Sequence, residues 1–149
     1  MFSQTVEYAL RAMVVLANAP DSPQTAQSIS DIAKLPPDYL FKVMQPLVKA
    51  GLVVAQRGKR GGFMLGRNSG EVTIFDVVNA VDPIHRIHTC PLKLRTHGIR
   101  LCPLHRKLDS ALAMVEDALK SSTLAEVIES GDPVRSLCES VVKLHAKVH

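Results

Sequence analysis

Two cysteines and two histidines near the middle of the chain are the side chains best suited to bind a metal. Cys90 and Cys102 each begin a Cys-Pro-Leu triplet, His97 lies between them, and His105 follows the second cysteine by three residues. Thiolates are soft ligands for zinc and iron, and imidazole binds the same metals. The pattern therefore predicts a metal-binding or redox-active loop rather than a piece of hydrophobic core.

The residues alone leave several uses of this loop open. The four side chains could hold one tetrahedral zinc ion. The cysteines could instead form a disulfide and sense oxidation directly, or a small ligand or partner protein could regulate a loop that holds no metal. No nucleophile–base pair, phosphate-binding loop or paired carboxylates accompany the loop, so we expect no enzymatic activity. Asp109 and Glu116 are interpreted as solvated residues of a helix and not as ligands.

The composition suits a chain with one core. Of its 149 residues 46% are hydrophobic, and the net charge of +4 permits a polyanionic partner. No apolar run reaches the roughly 18 residues of a membrane span, and no signal-peptide pattern begins the chain. Three cysteines, an odd number, disfavour a secreted disulfide framework. We expect a cytoplasmic protein without membrane contact.

The N-terminal third predicts three helices. Apolar residues at helical spacing indicate a helix over residues 4–18, and Ser28 or Ser30 is suited to cap a short second helix that ends before Pro36. A third helix is predicted over residues 38–50. Two short helices joined by a tight turn are typical of a helix-turn-helix, in which the second helix enters the major groove of DNA.

The outer face of this third helix supplies the candidate DNA contacts, which are Asp38, Tyr39, Phe41, Lys42 and Gln45. Lys42 and Gln45 are suited to hydrogen bonds with DNA, and Tyr39 is suited to a phosphate. Two roles stay open for Phe41: contact with a thymine methyl group or packing within its own domain.

A basic hairpin follows the third helix. Strand-like runs over residues 52–55 and 62–65 flank a glycine-bounded tip that carries Arg57, Lys59 and Arg60 and no acid. Glycines let the backbone approach a partner closely, and the cations attract phosphates. The pattern predicts a β-wing that contacts DNA beside the recognition helix.

The remaining sequence predicts a loop followed by dimerisation helices. Thr73 begins a capping box, and from His105 onward Leu108, Leu112, Val115 and Leu119 indicate a long helix that needs a partner. A further helix is predicted from Pro133. The predicted fold is therefore mainly α: a winged helix-turn-helix with a small β-wing over residues 1–83, a cysteine-containing sensor loop over 84–104, and a long dimerisation helix with C-terminal helices over 105–149.

These residues also carry a resemblance that covers nearly the whole chain. Residues 7–12, 39–40, 47–53 and 57–65 resemble the IscR/NsrR-type family of bacterial winged-helix transcription regulators, many of which bind an iron-sulfur cluster. The resemblance implies a homodimer that binds a palindromic operator in double-stranded DNA. It also implies that Arg57 is the wing arginine and that the long helix forms the dimer interface.

The cluster-binding pattern of that family is altered in this chain. The family's three cysteines are each separated by five residues, and here Thr96 stands at the middle position between Cys90 and Cys102. His97 is adjacent, His105 matches a histidine ligand of one branch, and Glu7 matches an acidic ligand from the partner subunit in another. The resemblance therefore implies mixed ligation, which suits a 2Fe-2S cluster better than a 4Fe-4S cluster, with zinc as the alternative. We expect a repressor that senses redox state, nitric oxide or iron.

Overall fold

The computed structural model describes residues 2–97, 100–131 and 136–137. Their fold is mainly helical, and the helix-turn-helix with its two-stranded wing confirms the predicted winged helix. The elements are α1 (Gln4–Ala17), α2 (Ala26–Ala33), α3 (Pro37–Lys49), β1 (Val53–Gln56), β2 (Gly62–Leu65), α4 (Ile74–Val81), a 3-10 turn (Arg95–His97), α5 (Pro103–Lys120) and α6 (Leu124–Ile128). Apart from Ser136 and Leu137, the helix predicted from Pro133 lies outside the described residues.

The helix ends follow local capping chemistry, with one departure from prediction. Thr25 caps α2, because its side chain accepts a hydrogen bond from the backbone N–H of Ser28. The predicted cap at Ser28 or Ser30 was wrong, since both serines lie inside that helix and Ser30 is buried in it. Helix α3 begins with Pro37, whose missing N–H costs nothing in the first turn.

The core lies around α1, which is buried over most of its length. Helices α2, α3 and α4 and the wing all contact α1 or each other around it. The fully buried side chains include Met13, Leu16, Ile29, Leu40, Val43, Met44, Leu47, Leu52, Val53 and Val72. This core fixes α3 from its inner side and leaves the opposite side of the helix for other contacts.

The chain returns to this core after its longest helix. Leu124 of α6 is fully buried within the core cluster, and its N–H donates to the Val72 carbonyl at 2.9 Å. Thr73 and Thr123 pair across an isolated antiparallel bridge, and each begins a capping box. The division at residues 83 and 104 stays a prediction, but part of the C-terminal region packs inside the winged-helix core.

Helix α5 is unlike the others because none of its residues is buried. It packs on α4, and its outer apolar side chains stay exposed, with Leu104 at 63% and Met114 at 73%. Within the described ranges, no helix combines the length and apolar character needed to cross a bilayer.

Candidate DNA-binding surface and sensor loop

The predicted recognition helix presents one polar and aromatic face outward. Its inner face holds Leu40, Val43, Met44 and Leu47, so the residues between them on the helical wheel point away from the core. Four of the five predicted contacts are exposed: Asp38, Phe41, Lys42 and Gln45. Phe41 is 67% exposed, and contact with a thymine methyl group and packing against its own domain both stay predictions for its ring.

Tyr39, the fifth predicted contact, is held by α1. Its hydroxyl lies 3.2 Å from the Thr5 Oγ1, and its ring packs edge-to-face on Tyr8 with centroids 5.3 Å apart. The Lys42 Nζ lies 5.3 Å from the centre of the same ring. These contacts place the start of α1 beside the start of the recognition helix. Thr5 and Tyr8 are residues that the sequence interpretation did not select.

The wing carries its cations on an exposed tip. Strands β1 and β2 pair antiparallel, and Arg57, Lys59 and Arg60 are all exposed between them. None of the three forms an ion pair with any residue that the structure describes. A surface of unpaired cations with no acid attracts phosphates.

Two glycines let the wing close tightly. A Cβ on Gly61 would lie 2.4 Å from the Gln56 carbonyl oxygen, and one on Gly62 would lie 2.5 Å from the Gln24 carbonyl oxygen. Gln24 pairs with Phe63 through backbone hydrogen bonds of 2.8 and 2.9 Å. The segment before α2 is therefore hydrogen-bonded to strand β2 of the wing.

The recognition helix and the wing border one open groove of about 540 Å³. Its lining comes from α3 and from β2: Phe41, Met44, Gln45, Val48, Lys49 and Phe63. Val48 and Lys49 were not selected from the sequence, although they follow Phe41 and Gln45 at three- and four-residue spacing. Phe41 and Gln45 of the recognition helix and Phe63 of the wing therefore face the same side of the molecule.

In the cysteine loop, each thiol contacts one histidine. The Cys90 Sγ lies 3.6 Å from the His97 Nδ1, and the Cys102 Sγ lies 3.2 Å from the His105 Nδ1. Cys90 is buried and Cys102 is half-buried, and both are free thiols. Cys102 is also the residue that precedes the first turn of α5. The predicted cysteine and histidine ligands therefore lie in two separate pairs.

The structure does not bring these ligands into one cluster. Among the residues it describes, no three Cys, His, Asp or Glu side chains converge as metal ligands. Glu7 lies on α1 with a side chain that is 57% exposed, and it pairs with Arg11 at 3.0 Å. By type, two thiols and two imidazoles are a sufficient ligand set for a mixed-ligand iron-sulfur cluster or for zinc.

Ion pairs join the start of the loop to α5. The sequence interpretation did not predict them. The Arg86 Nε and Nη2 each donate to Asp109 at 2.7 Å, and its Nη1 donates to Glu116 at 3.2 Å. The hydrogen bonds from Arg86, aided by the N–H of Ile87, hold the pKa of Asp109 at about 2. Bonds from Lys120 and then Arg86 lower the pKa of Glu116. Asp109 and Glu116 are thus not the solvated residues that were predicted.

Comparisons with known proteins agree on the kind of protein. The family model described as Rrf2, iron-dependent transcriptional regulator, matches residues 2–130. An HTH-type transcriptional regulator of Aquifex aeolicus is 31% identical over 131 residues, which cover 86% of this chain and 91% of the relative. These matches are to transcriptional regulators and not to enzymes.

Solved structures show the same fold. CymR, the global cysteine regulator of B. subtilis, is 27% identical with a TM-score of 0.73, and the match covers 89% of this chain and 98% of that one. IscR of T. potens has the same TM-score of 0.73 at 23% identity, with 89% and 88% covered. The latter likeness concerns the fold alone.

Proposed function

The chain belongs to the Rrf2 family of transcriptional regulators, and we propose that it acts as a homodimer that represses transcription by occupying a palindromic operator. Each subunit places α3 in the major groove of one half-site, and the wing contacts the neighbouring backbone or minor groove. The cytoplasm is the proposed place of action. The proposal rests above all on the groove that Phe41 and Gln45 of α3 share with Phe63 of the wing.

The roles proposed for the contact residues follow from their chemistry. Gln45 and Lys42 donate hydrogen bonds to base edges, and Phe41 contacts thymine methyl groups. Arg57, Lys59 and Arg60 supply positive charge at the wing, and the Tyr39 hydroxyl reaches a phosphate. Asp38 lies in the first turn of the recognition helix, and its carboxylate disfavours phosphates close to it, which helps to set the register on DNA.

The DNA-binding proposal is tested by selecting an operator from random duplexes and measuring its affinity by fluorescence anisotropy. Arg57→Ala is expected to weaken binding about tenfold and to reduce the salt dependence by about one counterion. Arg67→Ala is the matched control, because Arg67 is an exposed cation just beyond the wing strands. Equal binding by the Arg57 variant and the wild-type protein would remove the wing from the proposal.

For the loop we propose a 2Fe-2S cluster as the sensor group. Cys90 and Cys102 would bind as thiolates, and His97, His105 and Glu7 of a second copy are the candidates for the remaining positions. Two observations support this: the pairing of each thiol with an imidazole, and the match to a family described as iron-dependent. When bound, such a cluster supplies one-electron redox chemistry, and its potential depends on the histidine or carboxylate ligands.

A change in the conformation of the cysteine loop would reach the DNA-binding surface through α5. Arg86 ties the loop to Asp109 in the first half of α5, and the C-terminal end of α5 leads directly into the buried Leu124. A shift of α5 relative to the core would change the separation of the two recognition helices in a dimer. Half-site spacing is a geometric requirement for binding a palindrome.

Anaerobic purification followed by an absorbance spectrum and counts of iron, sulfide and zinc tests the sensor proposal. Iron and sulfide should be present and should fall in both Cys90→Ala and Cys102→Ala, whereas Cys138→Ala is the control at the third cysteine. One zinc per chain in a colourless protein would replace the cluster with a zinc site. Reversible oxidation of Cys90 and Cys102 without metal would favour a thiol switch, and neither result would alter the DNA-binding proposal.

A further inference from the structure

We propose that a pocket between α1, α4 and α5 binds a small apolar molecule that carries a primary ammonium group. The pocket has a volume of about 200 Å³, and Cys90, His97, Cys102 and His105 do not line it. Its ligand is therefore distinct from the iron-sulfur cluster proposed for the loop, and neither group requires the other.

Apolar side chains from three helices line this pocket. Val6 of α1 and Val78 of α4 are buried, and Leu112 and Val115 of α5 are half-buried. Leu112 and Val115 are three residues apart, so they lie on the same face of α5. An apolar ligand would remove these side chains from contact with water, which is favourable in proportion to the area covered. A molecule in the pocket would thus contact the winged-helix core and α5 at once.

Asp82 and His85 give the pocket its polar part. Both are exposed and lie in the segment that leads from α4 to the cysteine loop. Asp82 is the one acid among the lining residues, and no lysine or arginine accompanies it. A carboxylate at the mouth of an apolar pocket attracts an ammonium group, which donates charge-assisted hydrogen bonds to it. A neutral imidazole at His85 could accept a further hydrogen bond from the same group.

No cation of the described chain takes the place of that ammonium group. Asp82 forms no ion pair with any residue that the structure describes. Arg86, the nearest cation in sequence, is bound to Asp109 and Glu116 instead. The negative charge of Asp82 is therefore available to a positively charged ligand.

The volume of the pocket limits the size of its ligand. An apolar cavity of about 150 Å³ accommodates benzene. A pocket of about 200 Å³ therefore has room for a six-membered ring with a short substituent. Benzylamine meets both requirements, because its ring suits the valine and leucine walls and its ammonium group suits Asp82. A nucleotide exceeds this volume, and its phosphates would be repelled by the carboxylate.

The experiment titrates the full chain, purified metal-free under reducing conditions, with benzylamine near neutral pH. Isothermal titration calorimetry should give a Kd of about 0.1–1 mM, as expected of a ligand of this size. Asp82→Asn should weaken binding at least tenfold, because the ammonium group loses its opposite charge. Asp117→Asn is the matched control, since Asp117 is an exposed acid of α5 that does not line the pocket. Benzyl alcohol, which has the same shape without the charge, should bind at least tenfold more weakly than benzylamine.

Methyl NMR spectra locate the bound molecule and report whether each variant is folded. Benzylamine should shift the methyl signals of Val6, Val78, Leu112 and Val115 together. Val115→Phe adds a ring to the pocket wall and should abolish these shifts while the helix content measured by circular dichroism is retained. Shifts confined to other parts of the molecule would overturn the proposal. Equal affinity of benzylamine for the wild-type protein and for Asp82→Asn would overturn it as well, and so would the absence of saturable binding to the folded wild-type protein.

Discussion

Arg86 and Asp109 form a two-bonded ion pair, in which the Nε and Nη2 atoms each donate at 2.7 Å to a different oxygen of the carboxylate. The pair joins the start of the cysteine loop to α5. The start of the loop is thus held against the first half of α5.

The first prediction follows from the pKa of Asp109, which is lowered from 3.8 to about 2 chiefly by the bonds from Arg86. A carboxyl group with a lowered pKa in the folded state stabilises the fold above its unfolded pKa, and this contribution is lost as the pH falls through the folded pKa. The wild-type protein should therefore lose stability between about pH 4 and pH 2 more steeply than Asp109→Asn. Urea unfolding at several pH values gives the two slopes.

Asp31→Asn serves as the control for this comparison, because it removes an exposed carboxylate of α2 without touching the loop. Identical pH dependence in the wild-type protein and in Asp109→Asn would mean that the Arg86 pair does not hold in solution. A direct NMR titration of the Asp109 carboxyl group would give the same answer independently.

The second prediction concerns Leu124, which is fully buried although it follows the long helix. Leu124→Ala should lower the free energy of unfolding by about 2–5 kcal/mol, because the truncation leaves a cavity in a close-packed core. Leu92→Ala is the matched control, since Leu92 is 70% exposed in the loop. Chemical denaturation measures both, and a loss as small as the control's would contradict the placement of α6 against α1.

The third prediction separates base reading from stability at Phe41. Because its ring is exposed, Phe41→Ala should change the free energy of unfolding by no more than about 0.5 kcal/mol. It should weaken binding to the selected operator by about 1–3 kcal/mol while leaving binding to random duplex nearly unchanged. Ile32→Ala, an exposed apolar change on α2, is the control. Equal losses on both duplexes would show that Phe41 does not discriminate between sequences.

The fourth prediction tests the close approach at the wing. Gly61→Ala would place a methyl group against the backbone oxygens of Gln56 and Gly58, so the turn at the wing tip must open. DNA affinity should fall about tenfold, or about 1.4 kcal/mol, with little change in thermal stability. Gly70→Ala is the matched control, because its nearest neighbour is a side-chain oxygen at 3.3 Å. Full DNA affinity in Gly61→Ala would indicate that the wing shape does not matter for binding.

Much of the fold could be predicted because helices and strands are indicated by patterns of residues close together in the sequence. Apolar spacing placed α1 within a residue of its observed end, and the strands around the Arg57 tip differ from prediction by at most one position. The start of α2 was missed because several hydroxyl residues compete to cap one helix, and only the packing that buries Ser30 decides among them. Helix α3 was predicted over residues 38–50 and runs over Pro37–Lys49, although Pro46 lies inside it.

The site was less predictable because it depends on distant contacts. The exposed residues of α3 follow from helical spacing, but the bond between Thr5 and Tyr39 joins residues far apart in sequence. Likewise, the contacts of Cys90 with His97 and of Cys102 with His105 fit local spacing, whereas the partners of Arg86 lie more than twenty residues away. Such contacts depend on tertiary packing, which the residue pattern alone does not specify.

Leu124 of α6 is buried in the same core as α1. The chain therefore leaves this core after α4, forms the cysteine loop and α5, and returns to the core at α6. The cysteine loop and α5 are therefore an insertion within the winged-helix body and not a separate C-terminal extension of it. A truncation that ends the chain before α6 would remove Leu124 from the winged-helix core. The helices at the two ends of this insertion, α4 and α6, both pack against α1, so a change of the loop sequence between them leaves these core contacts in place.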